Sequence, residues 1–366
     1  MSASASGWLD RIRRLDLPER VKIMNVCGGH ERSISAAGIR GALPDAIELI
    51  PGPGCPVCIC PEEDVYEAMH LAMAEDVILV TFGDMLRVPV NVPRREVRSL
   101  EQAKAAGADI RPIASPLEAA QIARDNPDRD VVFFAAGFET TMAPVAAMLC
   151  EAPPKNLYLL LSGRLTWPAV AMLLESGDAG FDALIAPGHV STVMGPEEWD
   201  FVVEKHRLPA AVSGFTADSL LAGMYSVLRQ LLEGNLFLDN CYPTVVRPKG
   251  NKAARRQLER AFRVEDAAWR GIGVIPGSGY ALRKEYADHD ARTRYPDHRD
   301  DSRKRVGLMP QGCDCAKVVL GRIYPNQCRI YGVACTPRNP VGPCMVSDEG
   351  ACRIWWANGI RERESA

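Results

Sequence analysis

Short runs of apolar residues alternate with amphipathic stretches along most of the chain, and this alternation predicts strands separated by helices. Strands are expected at residues 21–26, 47–50, 77–82, 131–136, 157–161, 183–186 and 210–212. Because these runs are apolar on both faces, they predict a parallel sheet covered by helices on either side, an α/β architecture. An amphipathic helix is expected within residues 1–20 (Trp8, Ile12, Leu15), a longer one from Pro61 to Glu75, and others at 103–108, 116–124 and 253–264. A strand-like stretch at 242–247 and a glycine-rich turn at 271–279 precede an abrupt change. From Arg283 to Arg305 nearly every residue is charged or polar with both signs mixed, the pattern of a solvated connector. The turn-rich break at 125–130 and the tail's distinct composition divide the chain into expected domains at 1–127, 128–240 and 241–366.

A chain of 366 residues is long enough for two or three cores. With 24% charged residues and a net charge of −3, it lacks the basic excess of a nucleic-acid or membrane-surface binder. Its apolar runs are too short to span a bilayer, and no apolar segment follows the early arginines, so a cytoplasmic location is expected. Twelve cysteines in such a chain call for catalysis, redox work or metal ligation, since cytosolic thiols stay reduced. Four lie between Cys27 and Cys60 and six between Cys313 and Cys352, while Cys150 and Cys241 stand apart and read as structural.

The densest chemistry is Pro51-Gly-Pro-Gly-Cys-Pro-Val-Cys-Ile-Cys60, between an expected strand and the helix opened by Pro61. Cys55 and Cys58 have the C-x-x-C spacing of a redox dithiol or half of a zinc site. A helix N-terminus is expected to favour thiolate over thiol there. A second strand end carries Cys27-Gly-Gly-His-Glu31, a soft ligand, an imidazole and a carboxylate within five residues, with glycines that permit positive φ or close approach. Further strand ends bear Gly137-Phe-Glu-Thr-Thr141, Pro187-Gly-His-Val-Ser-Thr192 and Ser213-Gly-Phe-Thr-Ala-Asp218, which should line one rim of the sheet. Helix capping accounts for Thr140 or Thr141, Ser191 and Thr216, and leaves Glu139 and His189 as candidate polar contacts. Neither a phosphate-binding P-loop nor a dinucleotide fingerprint occurs. The six C-terminal cysteines sit among Gly and Pro without long apolar runs, so bound ligands are expected to hold this block together. An iron–sulfur cluster plus a redox pair, or zinc plus a spare pair, would each use all six, with the cluster favoured.

Taken together, Cys27-Gly-Gly-His-Glu31, Gly52-Pro-Gly-Cys-Pro-Val-Cys58, Gly137-Phe-Glu-Thr-Thr141, Pro187-Gly-His189 and the tail from Cys335 through Cys344 to Cys352 closely resemble the HypD family of hydrogenase maturation factors. The resemblance spans nearly the whole chain. It implies two similar parallel-sheet α/β domains around a central cleft, plus a small C-terminal iron–sulfur domain. It implies a redox-active assembly scaffold rather than a turnover enzyme, on which an Fe(CN)2CO unit is built in complex with HypC, cyanide arriving through HypE after loading by HypF. By the same resemblance Cys313, Cys328, Cys335 and Cys344 are the expected [4Fe-4S] ligands. Cys315 with Cys352, and Cys55 with Cys58, are the expected redox pairs, and Cys27 with His30 the expected holders of the iron. A stand-alone thiol–disulfide oxidoreductase and a zinc-stapled binding protein are the alternatives.

Overall fold

The computed structural model describes residues 3–93, 95–177, 179–298 and 308–361. In chain order its parallel strands are β1 (Val21–Asn25), β2 (Ile47–Pro51), β3 (Val77–Phe82), β4 (Ile110–Ile113), β5 (Asp130–Gly137), β6 (Leu157–Gly163), β7 (Ala183–Pro187), β8 (Ala210–Ser213) and β9 (Leu238–Asn240). They form two sheets, ordered β2-β1-β7-β8-β9 and β4-β3-β5-β6. β3, β5 and β7 are buried almost throughout, as strands covered by helices on both faces must be. The α/β fold with parallel sheets is therefore as expected.

The sheets do not follow the expected division at residue 127. β1 pairs with β7 (Ile23 opposite Ala183) and β3 with β5 (Val77 opposite Asp130), so each sheet draws strands from both sides of that boundary. The chain leaves the first sheet after β2 through the cysteine loop, whose helix Pro56–Ile59 packs on β5. It re-enters the first sheet after β6 by way of helix Trp167–Glu175. Alternating strand and helix signals specify a parallel sheet but carry no record of which strands are neighbours.

β10 (Phe262–Trp269) and β11 (Gly273–Leu282) form an antiparallel ribbon where only a glycine-rich turn was expected. Its β10 half is charged and largely exposed, which hides the strand signal. The strand expected at 242–247 is a series of turns, and the helix after it runs Lys252–Ala261, capped by Asn251 Oδ1 on the N–H groups of Ala253 and Ala254. Nor is the charged connector simply solvated. Arg292 bonds Asp64 at 2.9 Å and Glu67 at 3.0 Å, although residues 299–305 of that stretch lie outside the described residues.

One apolar cluster runs from Val57 and Ile59 under Leu79 and Phe134 to Trp269 and the C-terminal cysteines. Ordinary burial thus helps to hold the tail, in addition to whatever its thiols bind. Among the described residues no helix is long and apolar enough to cross a membrane.

Candidate metal and thiol centre

Cys27 follows β1 and precedes helix Gly28–Ala36, in extended conformation. Its sulfur accepts from the backbone N–H groups of Gly29 and His30. Those donors do not make it a thiolate: burial, followed by the charge of Glu349, pushes the Cys27 thiol up to about 12. Burial also pushes Cys60 up to about 12, ahead of the nearby Asp64 carboxylate. The expectation that a helix N-terminus lowers the thiols of the Pro51–Cys60 loop fails at Cys60, because desolvation disfavours the charge more than the helix end favours it.

Cys55 caps, and Cys58 lies within, a one-turn helix, Pro56–Ile59, that precedes the long helix Glu62–Ala74 and was not expected from the sequence. They are joined as a disulfide, and the Cys58 N–H donates to Cys55 Sγ at 3.2 Å. The glycines around both motifs have ordinary φ, so their purpose is close approach. A Cβ on Gly54 would stand 2.4 Å from the Cα of Cys27, and one on Gly28 would stand 2.4 Å from the Cβ of Glu349. The Gly28 N–H also donates to Gly54 O at 3.1 Å, binding the two cysteine loops edge to edge.

Between these loops lies a tight crevice with about 10 Å³ of free volume, room for one water-sized sphere. Cys27, Cys55, Cys58, Cys344 and Glu349 line it together. Two N-terminal cysteine motifs and a tail motif hundreds of residues away therefore share one wall. Glu349 belongs to the tail motif, but its position over Gly28 left no signal in the sequence, because only tertiary packing creates it.

The remaining residues of Cys27-Gly-Gly-His-Glu31 divide in role. His30 is fully buried, and its Nε2 donates to Ser213 O at 2.9 Å, which leaves Nδ1 buried, unprotonated and unpartnered. Burial holds this imidazole down at about 4, so it is neutral near pH 7. Glu31, by contrast, is fully engaged. It accepts from Trp355 Nε1 at 2.7 Å, Arg40 at 2.8 Å and Asn25 Nδ2 at 3.1 Å, clamping the tail helix Ala351–Ala357 to the first sheet. Glu31 is structural, not a free carboxylate ligand.

On the other strand ends, Glu139 is fully buried rather than exposed in a crevice, and its carboxylate accepts from Thr166 N and Oγ1 at 2.6 and 2.7 Å. Burial raises it to about 7. His189 is exposed and stacks on Phe215 at 3.8 Å. Thr216 caps its helix as expected, through the Ser219 N–H, but Thr140, Thr141 and Ser191 lie inside helices and do not cap.

All six tail cysteines are buried. Sulfurs of Cys315, Cys344 and Cys352 lie within 4.8 Å of one another, the one grouping of three or more metal-ligand atoms at that spacing among the described residues. A Cβ on Gly342 would meet the sulfurs of Cys313 and Cys315, each at 2.5 Å, so Cys313 adjoins the group. Cys335 Sγ accepts from Val341 N at 3.4 Å and Cys344 Sγ from Cys352 N at 3.3 Å. Hydrogen bonds from Cys315 and Cys352 draw Cys344 down to about 5. Closely spaced buried sulfurs with backbone N–H donors suit a thiolate-held metal ion or cluster.

Comparison with known proteins gives the family of the chain. A family model described as HypD, hydrogenase formation hypA family, matches residues 3–359. The chain is 39% identical to the hydrogenase maturation factor HypD of Rhodobacter capsulatus, over 98% of this chain and 96% of that one. It is 38% identical to the Escherichia coli factor of the same name, over 94% and 91% of the two chains. It is also 38% identical to the hydrogenase expression/formation protein HupD of Azotobacter chroococcum, over 96% and 92%. The chain belongs to the HypD family and is a hydrogenase maturation factor.

Proposed function

We propose that the chain is a redox-active scaffold for [NiFe]-hydrogenase, on which the Fe(CN)2CO unit is assembled while HypC is bound, cyanide arriving through HypE after loading by HypF. The observation that carries this reading is the single crevice lined by Cys27, the Cys55–Cys58 disulfide and Cys344. The iron is cargo. Cys27 offers it a soft thiolate once its proton is displaced, and His30 offers a neutral Nδ1 whose ring is held by the Ser213 carbonyl, the arrangement typical of ligating histidines. Cys313, Cys328, Cys335 and Cys344 would hold the [4Fe-4S] cluster, which when bound supplies single electrons. The chain's own part is to keep the Cys315 and Cys352 thiols buried beside Cys344, and the Cys55–Cys58 pair within reach of the same crevice, so that thiol–disulfide exchange proceeds away from solvent. A stand-alone thiol–disulfide oxidoreductase is the weaker reading, because Cys55 and Cys58 are only 5% and 2% exposed and closed to a protein disulfide.

Infrared spectroscopy of the anaerobically purified chain with HypC bound tests the proposal. Bands of iron-bound cyanide and carbon monoxide are expected in the wild type and absent in Cys27→Ala, which keeps the visible absorbance of the cluster. Bands that persist in the variant, or a cluster lost with Cys27, refute the assignment.

A further inference from the structure

Arg270 occupies the tip of the β10–β11 ribbon, buried between the two cysteine regions. Its side chain is 1% exposed. Its backbone N–H donates to Ile59 O at 2.9 Å, closing the end of the one-turn helix that carries the disulfide. The next residue, Gly271, has φ +73° and packs so tightly on the tail that a Cβ there would stand 2.9 Å from the Cβ of Ala316, the neighbour of Cys315. Arg270 therefore belongs to the segment where the disulfide helix meets the C-terminal cysteines.

Only one guanidinium nitrogen is accounted for. Nη2 donates to Glu62 Oε2 at 3.0 Å and to Pro89 O at 2.8 Å, whereas Nε and Nη1 are buried without any partner. Leaving charged donors unpaired in a protein interior is costly, so the N–H groups of these two nitrogens face something the polypeptide alone does not supply. Cys60, which follows the Ile59 carbonyl that Arg270 holds, feels the Arg270 charge in the direction favouring thiolate. Glu62 balances Arg270 on one side and accepts from Asn91 N with its other oxygen, and neither Nε nor Nη1 is bonded to it.

We infer that Arg270 is the positioning residue for the C-terminal thiolate centre, the unpaired N–H groups of Nε and Nη1 donating to the thiolates there and its charge offsetting their negative charge. The inference rests on the proposed metal–thiolate centre and adds to it the group that sets its reduction potential. A buried cation beside a thiolate-held centre favours the reduced, more negative form, and hydrogen bonds to ligand sulfur act in the same direction. Because the backbone of the same residue holds the end of the disulfide helix, Arg270 also fixes where that helix sits relative to the donor centre.

The test is an anaerobic redox titration of the purified holoprotein, followed by electron paramagnetic resonance. Arg270→Gln is expected to disfavour reduction at least tenfold at a fixed potential, a midpoint lower by about 59 mV or more for a one-electron couple. Glu62→Gln, which strips the counter-charge from Arg270, is expected to move the midpoint the opposite way. Arg270→Lys, which keeps the charge, should fall between wild type and Arg270→Gln. Opposite signs distinguish an electrostatic role from structural damage, which would not separate the Arg270 and Glu62 variants by sign. Unchanged midpoints, or both variants shifting in one direction, overturn the inference. Cobalt(II) binding to the reduced, metal-free chain, read from sulfur-to-cobalt absorbance, provides the second arm. There Arg270→Gln should weaken binding at least tenfold, and an unchanged affinity overturns the inference even if the isolated protein holds no redox-active centre. That last finding would instead count against the proposed function.

Discussion

Gly54→Ala is the sharpest perturbation of the site, because it adds one methyl group where two cysteine loops touch through backbone. The new Cβ would lie 2.4 Å from both Cα and N of Cys27 and 2.7 Å from the carbonyl carbon of Val26. Gly54 does not have positive φ, so the cost is steric rather than conformational. Overpacking against backbone, which cannot rotate aside, costs about 3 kcal/mol. Separating the loops also strains the Gly28 N–H to Gly54 O bond, worth about 1 kcal/mol. Alanine restricts the unfolded chain and returns about 0.7 kcal/mol, for a net destabilisation of about 3 kcal/mol. Gly41→Ala is the control, since nothing lies within 4 Å of its Cβ position and its φ is not positive; it should be neutral or stabilising by about 0.5 kcal/mol. Thermal and urea unfolding measure both, and cargo iron retained per chain measures the displaced Cys27. If Gly54→Ala proves as stable as Gly41→Ala and keeps its iron, the close apposition of the loops is wrong.

Other expectations follow from the buried polar groups. Glu31→Ala leaves the buried Trp355 indole N–H without an acceptor and strips the counter-charge from Arg40, which keeps only weaker bonds to Leu49 O and Ser35, so a loss of about 3 kcal/mol and a red-shifted tryptophan emission are expected; unchanged fluorescence would dissociate Glu31 from the tail helix. Glu139 is raised to about 7 from 4.5 by burial, so between those values the folded state binds the extra proton and stability falls as pH rises. Glu139→Gln removes that slope and is expected to be more stable than wild type at pH 8 by up to about 3 kcal/mol, as denaturation at pH 5 and pH 8 would reveal. Cys60, 1% exposed and with its thiol pushed up to about 12, should be among the last thiols alkylated by iodoacetamide under native conditions and react freely once the chain unfolds, a contrast that mass spectrometry resolves.

What the sequence made legible was whatever depends on local pattern. β3 forms at the expected residues, β1 ends one residue short of its expected end, and β2, β5, β6, β7 and β8 extend past theirs by no more than two residues, because buried parallel strands are continuous apolar runs. β4 was missed because Ile110-Arg-Pro-Ile113 is short and contains proline, which is tolerated there only because β4 lies at the sheet edge. The one-turn helix Pro56–Ile59 was missed because four residues show no period. The cysteine motifs could be picked out by spacing, but the partners that give them their setting, Glu349 over Gly28 and Trp355 on Glu31, are joined to them only by folding. Which strands neighbour one another, and hence which segments make each sheet, was equally out of reach.

The protonation of Cys27 decides how the site can be loaded. A helix N-terminus contributes roughly 0.3–1 kcal/mol towards an anion, and up to about 2 kcal/mol in favourable partly buried geometry. Raising the thiol from 9.0 to about 12 corresponds to about 4 kcal/mol in the opposite direction. Burial prevails, and near neutral pH the residue is a thiol that no change of buffer within the physiological range will ionise. A divalent cation can do what the helix cannot, because its charge offsets the cost of the buried thiolate at the moment the sulfur–metal bond forms. Loading the crevice therefore releases the Cys27 proton, and iron retention should increase as pH rises from 6 to 8. His30 adds nothing to that dependence above pH 6, being neutral already with its pKa held at about 4. If iron retention were flat over that range in wild type, the thiol would have to be ionised before the metal arrives, and the dominance of burial over the helix end would be refuted.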